Sequence, residues 1–136
     1  MPLVLDASVA MCWAMRDERD PLATAAAARA ISDDVLVPAL WWFELRNSLV
    51  VAERRSRIAV AETAMFLANL DAFAITIDRT PDNNSVLRLA RERRLTVYDA
   101  AYLELAIREG AVLATLDTAL MRAARAEGVS LIGGED

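Results

Sequence analysis

Five short apolar runs, at residues 3–5, 35–37, 74–77, 111–114 and 129–132, punctuate the chain. They are short and largely continuous rather than alternating, the pattern of strands in a sheet covered on both faces. Longer stretches with helical punctuation lie between them. Asp20-Pro21 sets a capping residue before a proline at the first helical position, and Thr80-Pro81 repeats the device. Pro38 closes the second run and opens a helical pattern over 39–55. A second helix over about 59–71 follows after a short turn, and Gly110 and Gly128 sit just past helical stretches, where a left-handed residue is wanted. Strands alternating with helices imply right-handed βαβ units and a parallel sheet. The expectation is an α/β fold, a three-layer α/β/α sandwich with a central five-stranded parallel sheet, in one domain over residues 1–136. Ligands of such sheets bind beyond the carboxyl ends of the strands, where strand order reverses.

Composition narrows the class. At 136 residues, 56% apolar and 26% charged, the chain can bury about two-thirds of its unfolded surface without staples and is no disordered segment. Uncharged runs reach only about nine residues, against the ~20 a bilayer span needs. The first apolar run has no basic residues before it and is cut by Asp6, so no signal peptide is expected and the protein is read as cytoplasmic.

Absent residue types exclude more. There is no histidine, which removes Ser-His-Asp and Cys-His catalysis. The lone Cys12, among Ala10, Met11 and Trp13, is read as a packing residue and excludes an internal disulfide framework or a Cys-rich zinc site. All fifteen basic residues are arginine, so lysine Schiff bases, a P-loop lysine and a phospho-receiver lysine are excluded. No glycine-rich loop follows a strand. A net charge of −5 argues against duplex binding by a basic face. Chemistry here must run on carboxylates and hydroxyls, through a metal ion.

Four carboxylates occupy positions that converge at the carboxyl edge of a parallel sheet: Asp6 after the first run, Glu44 early in the helix opened by Pro38, Asp99 at the start of a helix, and Asp117 after the fourth run. Each also has a local reading. Asp6 suits a turn, Asp99 stands at capping-box spacing from Thr96, and Asp117 suits a helix N-cap. Glu44 shares a helical stripe with Leu40, Asn47 and Val51 amid three aromatic residues, and a buried glutamate there needs a partner, in the local reading a salt bridge. Four carboxylates in one pocket repel and raise one another's pKa values. A hard divalent cation, Mg²⁺ or Mn²⁺, resolves that conflict, and its natural substrate is a phosphate. Phosphodiester hydrolysis is the chemistry expected, with one or two ions.

Val4-Leu-Asp-Ala-Ser-Val9, Val37-Pro38 with Phe43-Glu-Leu-Arg-Asn47, Leu95-Thr-Val-Tyr-Asp-Ala-Ala-Tyr-Leu103 and Leu113-Ala-Thr-Leu-Asp117 occur in an order and spacing that resembles the PIN-domain nucleases, specifically VapC-type toxins of type II toxin–antitoxin systems. The resemblance covers nearly the whole chain. It implies a Mg²⁺- or Mn²⁺-dependent endoribonuclease acting on RNA, held inactive by a cognate VapB-type antitoxin, forming a homodimer and a toxin–antitoxin hetero-oligomer. By the same resemblance Asp6, Glu44, Asp99 and Asp117 are catalytic and metal-ligating residues. Asp6 and Asp99 would bind the ion directly, and Glu44 and Asp117 through water or by positioning the nucleophile. Ser8, Asn47 and Thr115 fall at the supporting polar positions. Arg94 stands where many relatives carry histidine, and Arg46 where a small residue is common.

Two further features bear on partners. Trp41, Trp42, Phe43, Met65 and Phe66 on the helix pair are either core or the lining of a groove for a partner helix, and the resemblance favours a groove for the antitoxin. Arg54, Arg55 and Arg57, and Arg91, Arg93 and Arg94, are solvated faces or phosphate contacts, while Tyr98 and Tyr102 read as core rather than as base-stacking platforms. The competing reading is a non-catalytic PIN-like interaction module that retains its acidic pocket.

Overall fold

The continuous apolar runs form strands because both of their faces are covered: Leu3, Val4, Leu5, Leu113 and Ala114 have no exposed surface. A computed structural model describes residues 1–15 and 17–133. In chain order the elements are β1 (Leu3–Leu5), α1 (Ala7–Ala14), α2 (Pro21–Ser32), β2 (Val35–Pro38), α3 (Leu40–Arg54), α4 (Val60–Leu70), β3 (Ile75–Asp78), α5 (Asn83–Glu92), α6 (Val97–Glu109), β4 (Val112–Ala114) and α7 (Thr118–Ala126).

The sheet is parallel, in the order β3-β2-β1-β4. From β1 the chain steps one way to β2 and β3, then returns past β1 to β4, so right-handed crossovers place α1–α4 on one face and α5–α6 on the other. Packing follows that division. Helix α1 packs with α2 and α3, α6 packs with α5 and α7, and α2 and α6 each reach the sheet. The reversal of strand order falls between β1 and β4, which puts the ends of those two strands at the site-bearing edge.

Among the described residues the sheet has four strands, not the five expected. Residues 129–132 add a single parallel bridge, Leu113 to Leu131. Leu113 N–H donates to the Ser130 carbonyl (2.9 Å), and Ile132 N–H to the Leu113 carbonyl (3.0 Å). The run lies between Gly128 (φ +76°) and Gly133 (φ +72°), and turns at both ends leave room for one bridge rather than a ladder. Val129, Leu131 and Ile132 are nonetheless buried, so the apolar pattern there reports burial and not pairing.

Helix ends follow local chemistry. Asp20 accepts from Leu22 N–H at 2.8 Å with Pro21 at the first position, as expected. The Thr80-Pro81 expectation shifts by two residues: Asp82 caps α5, accepting from Ser85 N–H at 3.0 Å, while Thr80 bonds Asp78. An aspartate side chain two residues along offers a better acceptor to the first helical turn than the threonine does. Helices α3, α5, α6 and α7 all end in a left-handed residue followed by a six-to-one backbone bond: Arg57 N–H to Ala52, Leu95 to Ala90, Ala111 to Ala106 and Val129 to Ala124. Glycine serves at 110 and 128, but Ser56 (φ +57°) and Arg94 (φ +54°) hold the same conformation with a side chain, at a cost of about 1 kcal/mol each.

An ion network fixes the far end of α6. Arg108 donates to Glu104 (2.7 Å) and to Asp78 (2.7 Å), joining α6 to the end of β3, with Glu104 only 3% exposed. No helix among the described residues is long and apolar enough to cross a membrane.

Candidate active site

The site is built outward from Asp6. This residue ends β1, precedes α1 and is buried. Its N–H donates to the Ala114 carbonyl at 2.9 Å, so the β1–β4 ladder continues straight into the loop that carries Thr115 and Asp117. Two hydroxyls serve its carboxylate. Thr115 Oγ1 donates to Oδ2 at 2.6 Å and Ser8 Oγ at 2.9 Å. Both hydroxyls are polarised from behind, because Thr115 Oγ1 accepts from Asp117 N–H (3.1 Å) and Ser8 Oγ from Leu116 N–H (3.2 Å). With those lone pairs taken by backbone N–H groups, each hydroxyl proton is directed to Asp6.

Asp117 caps α7, Oδ1 accepting from Leu120 N–H at 3.0 Å. Asp99 lies in the first turn of α6, whose start Thr96 caps by accepting from Asp99 N–H at 3.1 Å. The local readings of these two residues, at the start of a helix, therefore hold. Glu44 Oε1 accepts from Tyr102 Oη at 2.6 Å. Tyr102 is fully buried on α6, three residues after Asp99 and so on the same helix face.

Among the described residues no arginine forms an ion pair with this set. In a chain with fifteen of them, the ion pairs at Asp33, Asp17, Glu18, Glu92, Glu127, Asp78 and Glu104 all lie elsewhere. Among the described residues Asp6, Glu44, Asp99 and Asp117 have no cationic partner. Burial pushes the Asp6 carboxyl up, the Thr115 and Ser8 bonds pull it partly back, and the Asp117 charge adds to the rise. Glu44 is raised first by burial and then by Asp6 and Asp99, against the Tyr102 bond. Asp99 is raised by burial, then by Asp117 and Asp6. Burial and the adjoining carboxylates push the Tyr102 hydroxyl far up, which keeps it a donor.

Asp6 and Asp99 thus lie within electrostatic reach of each other and of both Glu44 and Asp117, four acids drawn from four separate segments. They do not form a closed cage: among the described residues no three acidic, histidine or cysteine side chains stand close enough to hold an ion together. The donor set fits a hard divalent cation that keeps most of its waters and takes one or two carboxylates directly, the usual mode for Mg²⁺. Hard oxygen ligands and mutual repulsion are the features of the set that suit such an ion.

The supporting residues divide. Ser8 and Thr115 bond Asp6 directly. Asn47 does not join them, being exposed on α3 and lining a separate hollow with Met11, Val51 and Arg55. Tyr102 is core, as the sequence reads it, and its hydroxyl also reaches Glu44. The three-residue spacing from Asp99 on a helix was the available signal. The aromatic group also divides, with Trp41 buried, Phe66 partly buried, and Trp42, Phe43 and Met65 exposed. Tyr98 is exposed rather than core. Arg57 pairs with Glu18, and Arg93 with Glu127.

A hollow of 420 Å³ between α1, α2 and α4, lined by Cys12, Trp13, Phe66 and Phe73, is distinct from the acidic edge. A polymeric substrate needs an open edge more than an enclosed cavity.

The fold and the sequence have relatives. The structure of PAE2754 from Pyrobaculum aerophilum is similar at a TM-score of 0.73 and 25% identity, over 98% of this chain and 90% of that one. FitAcB from Neisseria gonorrhoeae matches at a TM-score of 0.62 and 19% identity, over 96% of each chain, a likeness of fold. No curated protein matches the chain. The PIN domain family matches residues 3–126, a span that holds all four carboxylates. The chain therefore belongs to the PIN domain family, whose members are generally nucleases.

Proposed function

We propose that the protein is a metal-dependent endoribonuclease that hydrolyses RNA phosphodiester bonds, the VapC-type toxin of a toxin–antitoxin module. The observation that carries this reading is the set of four carboxylates that, among the described residues, form no ion pair in an arginine-rich chain. A structural cluster would be expected to recruit a guanidinium; a cluster meant for a cation cannot.

When bound, Mg²⁺ or Mn²⁺ supplies positive charge for the attacking water and for the phosphate in the transition state. Asp6 and Asp99 are the residues that hold it. The Ser8 and Thr115 hydroxyls keep Asp6 ionised despite burial, since hydrogen bonds to the charged form favour that form. Tyr102 fixes Glu44 through Oε1, leaving Oε2 to take the proton of the attacking water. Asp117 orients the same water from the start of α7. Water adds to phosphorus, one P–O ester bond breaks, and the leaving oxygen takes a proton from solvent.

The partner reading follows the exposed apolar surface. Helix α4 buries only Leu70, while Val60 and Met65 on it, and Trp42 and Phe43 on α3, face outward. A cognate VapB-type antitoxin covers this surface in the cytoplasm, and the toxin works as a homodimer.

Purified protein incubated with total RNA and Mn²⁺ or Mg²⁺ tests the reading. Cleavage by the wild type, lost with EDTA and lost in Asp6→Asn, is expected. Equal cleavage by Asp6→Asn would remove the acidic mechanism. Absence of cleavage by the wild type on every RNA tried would favour the non-catalytic module.

A further inference from the structure

Strand β3 ends the sheet on one side, and its pairing with β2 fixes which backbone groups lie open. Val35 N–H donates to the Ala74 carbonyl at 3.0 Å, in a parallel register that sets Val35 opposite Ile75 and Val37 opposite Ile77. A parallel strand offers the backbone of alternate residues to its neighbour. Ala74, Thr76 and Asp78 therefore face β2, and the backbone groups of Ile75 and Ile77 face away from the sheet. Ile75 N–H turns back to the Phe73 carbonyl at 2.9 Å. Among the described residues the Ile75 carbonyl and both groups of Ile77 have no hydrogen-bond partner. No proline or charge interrupts residues 75–77 to blunt this edge.

The side chains of Ile75 and Ile77, two residues apart and so on one face, line a hollow of 280 Å³ between this edge, α3 and the end of α4. Trp41 is another of its walls. Only 4% exposed, it carries an indole N–H that no acceptor meets, and a buried donor without a partner is costly. Arg46, also at the hollow, lies over the Trp42 ring at 3.9 Å and gives one N–H to the Trp42 carbonyl, which leaves it further donors. Asp71 lines the same space, and its charge acts on Arg46 against the effect of burial. One cation and one anion balance there. The group that suits such a hollow is neutral and both accepts and donates, which describes a carboxamide.

We propose that the β3 edge receives an extended segment of a partner polypeptide as an added strand, with an asparagine or glutamine of that segment seated in the hollow beside Trp41, Arg46 and Asp71. Backbone bonds to Ile75 and Ile77 supply affinity for an extended chain, and the hollow supplies the choice of side chain. The inference goes beyond the partner reading above, which concerns the outward faces of α3 and α4, and it requires no nuclease activity.

The probes are fluorescein-labelled seven-residue peptides of alternating valine and threonine, with glutamine, glutamate or leucine at the centre, titrated against the full chain by fluorescence polarisation. The glutamine peptide should bind about tenfold more tightly than the other two. Trp41→Phe removes the N–H and keeps an aromatic wall, and should erase most of that preference. Ile77→Pro removes an outward N–H and leaves the β2 ladder intact, and should weaken every peptide at least about tenfold. Glutamine peptides N-methylated on alternate residues test the same bonds with the protein unaltered: one set should bind and the other should not. Absence of binding by the glutamine peptide, or equal binding by the wild type and a folded Ile77→Pro, overturns the proposal. Equal affinity of the glutamine and leucine peptides, or tolerance of both N-methylated sets, overturns it too. Self-association that Ile77→Pro abolishes, with no peptide bound, overturns it in favour of a second copy of this chain.

Discussion

Replacing Thr115 by valine removes one hydroxyl and changes almost nothing in shape. Thr115 is buried, and its Oγ1 donates to the Asp6 carboxylate at 2.6 Å while accepting from Asp117 N–H at 3.1 Å. A hydrogen bond to a charged group contributes roughly 1.5–3 kcal/mol, and the abandoned N–H adds about 1 kcal/mol more. The isosteric methyl leaves no cavity, so the predicted loss at neutral pH is about 3 kcal/mol, or about 10 °C in Tm for a chain of this length. Part of that loss depends on the Asp6 charge. Burial raises the Asp6 pKa above its ordinary 3.8. Once that carboxyl takes up its proton in mild acid, the missing bond is worth only about 1 kcal/mol. Urea unfolding followed by tryptophan fluorescence, at neutral pH and at about pH 4, measures both numbers. A loss under about 1 kcal/mol at neutral pH, or an equal loss at both, would refute the account of how Asp6 is held.

Three further outcomes are expected. Without divalent ions the site carboxylates cost stability when ionised: their folded pKa values are raised, so the native state holds more protons than the unfolded chain just above pH 4. Tm should rise as pH falls from neutral into that window, until loss of the Asp78 and Glu127 ion pairs, whose pKa values are lowered, reverses it in stronger acid; a Tm series with and without Mn²⁺ should show the mild-acid gain only without the ion. Arg108→Ala strips Glu104 and Asp78 of their shared partner. With Glu104 buried, a loss of about 3 kcal/mol in urea unfolding is expected, and a loss below about 1 kcal/mol would place that network among weak surface pairs. Arg94→Gly relieves a left-handed residue at the end of α5 and should stabilise by about 0.5–1 kcal/mol, as measured by the shift in urea midpoint; destabilisation would contradict it.

The acid set was legible because position along βαβ units fixes which edge of the sheet a residue reaches. Asp6 and Asp117 follow neighbouring parallel strands, and no packing detail can move them to the other edge. The fifth strand was not legible, because burial alone makes residues 129–132 apolar and two glycine turns, rather than hydrophobicity, limit them to one bridge. Asn47 sits on the expected stripe with Glu44 by helical period, but period gives a face and not a contact. Its side chain ends in another hollow. Tyr102 is core, as read, and its hydroxyl has a polar task besides. A buried tyrosine brings a hydroxyl that must find a partner, and three residues from Asp99 that partner is Glu44. The turns at Ser56 and Arg94 lacked the glycine that marks such turns elsewhere, so their backbone conformation left no trace in composition.

The central claim is that Asp6 and Asp99 take a hard divalent ion directly while Glu44 and Asp117 act on it through water, and Mn²⁺ binding tests it most directly. Calorimetric titration of the wild type and of Asp6→Asn, Glu44→Gln, Asp99→Asn and Asp117→Asn should give saturable binding in the wild type, abolished by changes at Asp6 or Asp99 and weakened by the other two, with all five proteins folded. Binding of equal strength in the wild type and the Asp6 and Asp99 variants, or none in the wild type, would contradict the account.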